Sequence, residues 1–304
     1  TVASNVLALG GVVDDGAGTW GLTKNGSGTL ILSGDNTFGG PVSLGSAVSS
    51  NGPNLLLIRH SRALGIGPKT VSVTTYGRTL ALDGTAGDLD VDSDIRWITS
   101  NAGVPGNGSV GAPALLNLAG SNTLRGEISL TGGGGGTLVR SDAGSLTLAG
   151  AIYNIIASTR DLELGGAAGG LVSGAISDLS NTVGVVKSGA GTWTLAGSNT
   201  YSGGTTVNAG TLRLDGFTST GTVVVATGTT LGGTGQVAGR CVVHGTNVPG
   251  AAGLGRLTVG SYTQAAGGRL VVALTGPGIN SGLTATQAAM LGGALTVTTN
   301  GFAP

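Results

Sequence analysis

Cysteine occurs once in the 304 residues, at Cys241, so no disulfide can form within the chain. Methionine also occurs once, histidine only at His60 and His244, and aromatic residues make up 3%. Charged residues are 9%, with 14 basic side chains against 14 acidic ones. That balance argues against a nucleic-acid or membrane-surface role. No apolar run approaches the ~18 residues of a membrane helix. The series of ~10-residue alternating strands with aromatic girdles that a membrane barrel needs is missing too. Helical i, i+3, i+4 periodicity is nowhere sustained for three turns. The opening Thr1-Val2-Ala3 shows no signal peptide, and the chain is expected to be a processed or truncated piece.

Catalytic signatures are as scarce. There is no G-x-S-x-G and no H-E-x-x-H. Neither histidine sits in a nucleophile context, although a triad assembles in space rather than in sequence. Both read as exposed or hydrogen-bonded strand residues. Cys241, within RCVVH, reads as a core-facing, inert thiol. Gly16-x-Gly18-x-x-Gly21 and Gly106-x-Gly108-x-x-Gly111 match a dinucleotide fingerprint. Neither leads into a helix, and a glycine-rich chain produces such matches by chance.

Glycine is what the chain has in excess: 62 residues, a fifth of the total against about 7% in ordinary proteins. It comes with spaced Leu, Val and Ile rather than with high charge, which argues against disorder. The stretch 187–216, KSGAGTWTLAGSNTYSGGTTVNAGTLRLDG, organises the rest. Trp193, Leu195, Leu212 and Leu214 alternate with Thr194 and Arg213, the period of a half-buried strand. Trp193, Leu212 and Leu231 follow at steps of 19 positions, which suggests one strand per turn of a coil. Residues 24–40, KNGSGTLILSGDNTFGG, align without gaps to 187–203, pairing Lys24 with Lys187, Gly34 with Gly197 and Asn36 with Asn199. LAGSNT at 118–123 repeats 195–200, and RTLALDG, SLTLAG, RLTV, RLVVAL and ALTV are looser copies. Self-similarity on this scale marks a repeat architecture.

The pattern G-x-G-T-[LW]-x-L-[SA]-G-x-N-T-[FY]-x-G resembles the passenger-associated repeat of bacterial autotransporters. TTVNAGTLRLDG resembles the remainder of that repeat, as does 58–73 with its Ala63-Leu64-Gly65. Residues 231–274 resemble the C-terminal end of such passengers, where a turn such as Pro249-Gly250 precedes G-x-L-T-V and Y-T-Q. Val248 stands where the family often has Ser. The resemblance implies secretion to the bacterial cell surface, and an outer-membrane β-barrel translocator that these residues do not contain. In the family, the C-terminal end nucleates folding outside the cell.

The expected fold is all-β: a single right-handed parallel β-helix over 1–304, with 231–304 as the passenger's C-terminal part. At ~20–25 residues per coil and ~4.8 Å between coils, it would have about 12–15 coils and a length of about 60–70 Å. Residues 100–113 read as a protruding loop, 132–136 as a run of five glycines, and 151–158, AIYNIIAS, as a bulge or short insertion.

One constellation stands out. Asp88, Asp90, Asp92 and Asp94 alternate with Leu89, Val91, Ser93 and Ile95. On a strand, all four carboxylates project from one face, ~6.8 Å between neighbours. Solvent, Arg96, the Arg59/Arg62 cluster on an adjacent coil, or a hard cation such as Ca²⁺ could neutralise them. The row lacks the glycine and distal Glu of an EF-hand loop, and a solvated or ion-paired outer face outweighs a metal site. Trp97 matches no repeat; it is either a surface contact for glycan or protein, or packing beneath the long loop. No cofactor, metal or catalytic set is assigned. The expected function is an adhesin or self-associating rod, whose partner is a host or neighbouring-cell surface or a second copy. The alternatives are a β-helical enzyme acting on polysaccharide, for which Asp88–Asp94 with Arg59, Arg62 and Arg96 would supply the carboxylates and cations, and a stalk presenting an effector domain.

Overall fold

The computed structural model describes residues 5–45, 54–74, 77–100, 112–132, 136–219, 221–276 and 279–299. Most of the loop 100–113, the centre of the five-glycine run and the Gly106 fingerprint lie outside the described residues. Every described element is a strand, and nearly all pair in parallel. The chain winds as a right-handed parallel β-helix. One coil illustrates the path: Arg160–Gly165 runs along a first face, Gly169–Val172 along a second and Ile176–Ser177 along a third. Each strand stacks on its counterpart one coil away, as Leu162 on Val185, Leu171 on Thr194 and Ile152 on Ile176. The first two faces join into a 26-stranded sheet, and the third holds seven strands. A coil therefore carries up to three short strands rather than one. The expected step is nevertheless real, because Trp193 pairs with Leu212 and Leu212 with Leu231.

Alternation fixes what points inward. Trp193, Leu195, Leu212 and Leu214 are buried, while Thr194 and Arg213 are half-buried on the outside. The indole of Trp193 occupies the space above Gly170, where a Cβ would collide with the ring, and its Nε1 donates to the Gly165 carbonyl at 3.0 Å. Tyr201 and Phe38, the repeat's aromatic position, are buried too. Residues 151–158 form no insertion. Ile152–Asn154 is an ordinary third-face strand between Ile128–Leu130 and Ile176–Ser177. Cys241 is fully buried, and that burial pushes its thiol up to about 12, so it stays protonated and unreactive at neutral pH. His60 and His244 lie at turns just after strands rather than within them.

The two matched repeat copies are used one face out of phase. Gly28–Leu32 stacks on the first-face strand Asn54–Ile58, whereas the aligned Thr192–Leu195 lies on the second face. Accordingly Lys24 ends a third-face strand and Lys187 a first-face strand. The second face begins only at Asp90–Val91, which pairs with Thr123 and Leu124 of the coil above.

Two chemical devices let the coils turn. The first is glycine at the corners. Gly150, Gly174, Gly197, Gly216 and Gly235 climb the corner that follows the second face. A Cβ on each would sit well inside van der Waals distance of the carbonyl oxygen of the glycine one coil below. The second is internal amide and ammonium groups that satisfy corner backbone. Asn199 accepts from the Ile176 amide at 3.0 Å and donates to the Gly197 and Phe217 carbonyls, both at 3.0 Å. Asn36 accepts from Val13 at 2.8 Å and donates to Ala63 at 2.6 Å. Lys187 lies fully buried in an aliphatic column, between Leu164 and Val207. Its Nζ donates to the carbonyls of Ser188, Gly189 and Ala209 at 2.6, 2.8 and 3.0 Å. No carboxylate pairs with it among the described residues, and burial lowers its pKa to about 8.

Two outcomes test this account. Gly197→Ala should destabilise the fold by about 1–3 kcal/mol through overpacking at the corner. Gly267→Ala, with open space around it, should be nearly neutral by urea unfolding. Equal effects would show that the glycine column is not what limits coil spacing. Lys187 gives a pH signature. Its folded pKa of about 8 lies below its ordinary 10.5, so between those values the unfolded chain binds more protons. Stability should therefore rise with pH across that window, and the burial penalty should be complete below it. In Lys187→Met, urea midpoints measured over the same window should rise less steeply.

Candidate surface site at a step in the solenoid

The four aspartates do not form a straight row. Only Asp90–Val91 is strand; residues 92–94 turn the corner into Ile95–Thr99. All four carboxylates are exposed, as the alternation predicts, but each meets different surroundings. Asp88 accepts from the Ser121 amide at 2.7 Å. Asp90 takes a bidentate grip from Arg125, Nε to Oδ1 at 2.6 Å and Nη2 to Oδ2 at 2.7 Å. Those hydrogen bonds, before any other influence, hold the Asp90 carboxyl below the usual carboxylate range. Asp92 Oδ1 accepts from the Ser93 hydroxyl and the Asp94 amide of its own turn, both at 3.2 Å. The Asp94 backbone carbonyl accepts from Lys69 N at 3.2 Å.

The arginines expected to face this row mostly do not. Arg59 pairs with Asp83 at 2.8 Å and Arg62 with Asp35. Arg96 projects from the third face, donating to Ser129 Oγ at 3.1 Å and lying 5.9 Å from the Tyr153 ring centroid. Trp97 is 0% exposed, paired with Ile128 in the third face. Because it points inward from a strand, it is core, and the surface-contact reading is corrected. Arg62, Asp90 and Asp92 do come together. With Ser61, Gly65, Ile66, Gly67, Ile95 and Arg125 they line a cleft of about 260 Å³.

The cleft follows from the fold. Asp90–Val91 is the first second-face strand, so the turn at 59–67 lies beside it where a further strand would otherwise stack. The Asp90 amide donates to Ser61 Oγ at 2.9 Å, a side-chain tie in place of a ladder bond. Gly65 and Gly67 bend the turn at φ 82° and 76°, values open to glycine. Between them Ile66 is 44% exposed. Arg125 was missed from sequence because it lies 35 positions from Asp90 in a stretch whose repeat signal is LAGSNT rather than charge.

Chemically, the site offers fixed charges rather than a proton-transfer pair. A general acid needs a raised pKa, yet Asp90 is shifted the other way. The carboxyl that burial does raise, Asp161, lies on the first-face strand Arg160–Gly165, further along the rod. Among the described residues no three His, Cys, Asp or Glu side chains are grouped to hold a metal ion. Calcium should accordingly leave the melting temperature unchanged in differential scanning fluorimetry. An upward shift, given that a ligand at a hundredfold excess over Kd adds about 2.7 kcal/mol, would mean that the turn at 92–94 closes around the ion.

Comparison with known proteins places these features. The passenger-associated-transport-repeat model matches residues 22–47 and 185–214, the two copies seen in the sequence. The chain is also 32% identical over 253 residues to the adhesin BmaC autotransporter of Brucella suis biovar 1 (strain 1330). That match takes in 68% of this chain and 7% of the adhesin, so the chain spans a small part of its relative's length. The matched repeats, their stacking into a parallel solenoid and the adhesin relative together make this chain an autotransporter passenger domain.

Proposed function

We propose that the chain is a length of a non-catalytic adhesive rod, exported through an outer-membrane β-barrel translocator to the bacterial surface. There it holds a host or neighbouring-cell surface through outward side chains. The observation that carries this reading is the state of the polar groups at the cleft between Asp90 and the 59–67 turn. Arg125 grips both oxygens of its Asp90 carboxylate and holds it below the usual carboxylate range, an arrangement suited to recognition. The adhesin relative supports it. The fold suits it as well, since a solenoid repeats its outer face coil by coil and adds binding surface with length.

Self-association is a second reading with its own observation. Thr192, Thr211, Thr230 and Thr246 pair in register up the outside of the second face. The result is an uncharged hydroxyl ladder at the ~4.8 Å strand spacing.

Beads coated with the purified chain test both. Saturable retention on epithelial cells, several-fold above uncoated beads, is the outcome expected of an adhesin. Bead-to-bead clumping lost in a Thr211→Lys/Thr230→Lys variant is expected of self-association. Release of reducing ends from polysaccharide would overturn the non-catalytic reading. Retention of neither kind would leave a stalk.

A further inference from the structure

The cleft at the step carries an imbalance that its own residues do not neutralise. Arg62 is engaged by Asp35, and Arg125 by both oxygens of Asp90. Among the described residues Asp92 has no cation within ion-pair distance. It lies in the field of Arg125, whose hydrogen bonds go to Asp90, and its own bonds come from its own turn at Oδ1. Asp88 and Asp94 flank it, equally without ion pairs among the described residues. The lining holds Asp90 and Asp92 with Arg62 and Arg125. Asp35 pairs with Arg62 from beside it and Asp90 with Arg125, so three carboxylates meet two guanidinium groups and the charge left over is that of Asp92. The local field is negative, and the like charges repel.

The cleft is also amphipathic. Ile66, 44% exposed, lies in the same lining as Asp92, with the glycines on either side adding no side chain to fill the space. An inorganic cation would use only the carboxylates, and among the described residues no three ligating side chains are grouped for it. A group with an apolar stem and a cationic head uses both features, the stem against Ile66 and the head at Asp92. Lysine and arginine side chains have that form.

We propose that this cleft receives a lysine or arginine side chain of a protein partner. This rests on the adhesive reading and names the chemistry of one contact within it. Charge complementarity at the rim chiefly sets on-rate and salt dependence. A single inserted side chain is weak, and repetition along the surface of a cell supplies avidity.

The test uses the whole chain and fluorescein-labelled hexalysine, read by fluorescence anisotropy at low salt and at about 0.15 M, where the Debye length is about 8 Å. Asp92→Asn and Ile66→Ser should each weaken binding about fivefold or more. Glu127→Gln makes the same charge change on an exposed position of another face and should leave binding unchanged. All three sites are on the surface, and unchanged melting temperatures confirm folded variants. Equal weakening by Asp92→Asn and Glu127→Gln would overturn the proposal in favour of diffuse charge attraction. An Ile66→Ser variant that binds as the parent does would overturn it too, since the stem contact would be absent. If hexalysine fails to bind while coated beads still adhere to cells, the cation site is wrong and the adhesive reading stands. If hexalysine binds in the cleft but beads do not adhere, the reverse holds.

Discussion

Everything in this rod depends on the parallel backbone ladder between coils. Strands one coil apart lie ~4.8 Å from each other, and the corners must keep that spacing while the chain changes direction. A side chain at such a corner would meet the carbonyl of the coil beneath. The glycines at 150, 174, 197, 216 and 235 are the solution, and much of the unusual glycine content is explained by position rather than by flexibility. Strand faces, by contrast, are free to carry bulk, and there the branched and aromatic residues stack in columns.

The corners create a second problem, and it is polar. Turning the chain removes amides and carbonyls from the ladder, inside a rod where water does not reach them. An unpaired buried group costs ~1–3 kcal/mol. Asn36 and Asn199 answer this with one acceptor and one or more donors aimed at neighbouring coils. Lys187 answers with three donors and accepts the cost of a buried charge. Lys69 does likewise, donating to the Phe38 and Leu64 carbonyls while its Nζ lies 4.6 Å from the Phe38 ring centroid. Several of the identities in the sequence repeat thus serve the corners. Lys, Gly and Asn mark the places where geometry and hydrogen bonding leave the fewest choices.

How much could be read from sequence follows from the same division. Period-2 alternation placed Trp193, Leu195, Leu212 and Leu214 inside, and the 19-residue step gave the true stacking partners. The number of strands per coil was not legible, because corners such as 196–197 interrupt a coil without interrupting its alternation. Nor was the phase shift between the two repeat copies. That depends on where the second face starts, a property of pairing and not of the unit itself. At the candidate site, exposure of the aspartates and their meeting with Arg62 were legible from alternation and from the adjacent coil. The bend at 92–94 was not, because the acidic alternation runs through the corner unchanged, and Arg125 was not, because its partner is one long coil away. Trp97 fell outside the repeat pattern, yet it packs like any inward residue of Ile95–Thr99.

A repetitive scaffold offers the same surface again and again, which favours weak, distributed binding. A distinctive site arises where the repetition breaks. Here the break is the start of the second face. The segment 84–91 ends in a strand that has a turn, rather than another strand, beside it on the lower coil. The space left between Asp90 and the 59–67 turn is the cleft, and the side chains that fill a regular position with packing are there exposed instead. The Asp90–Arg125 pair then adds to the backbone ladder that joins this strand to the coil above. It fixes the new strand to the coil above through side chains, since Arg125 immediately follows the strand that pairs with Asp90–Val91. Once both groups are spent on that task, the charge left over at the mouth belongs to Asp92, and what the surface can recognise is set by what the fold did not need.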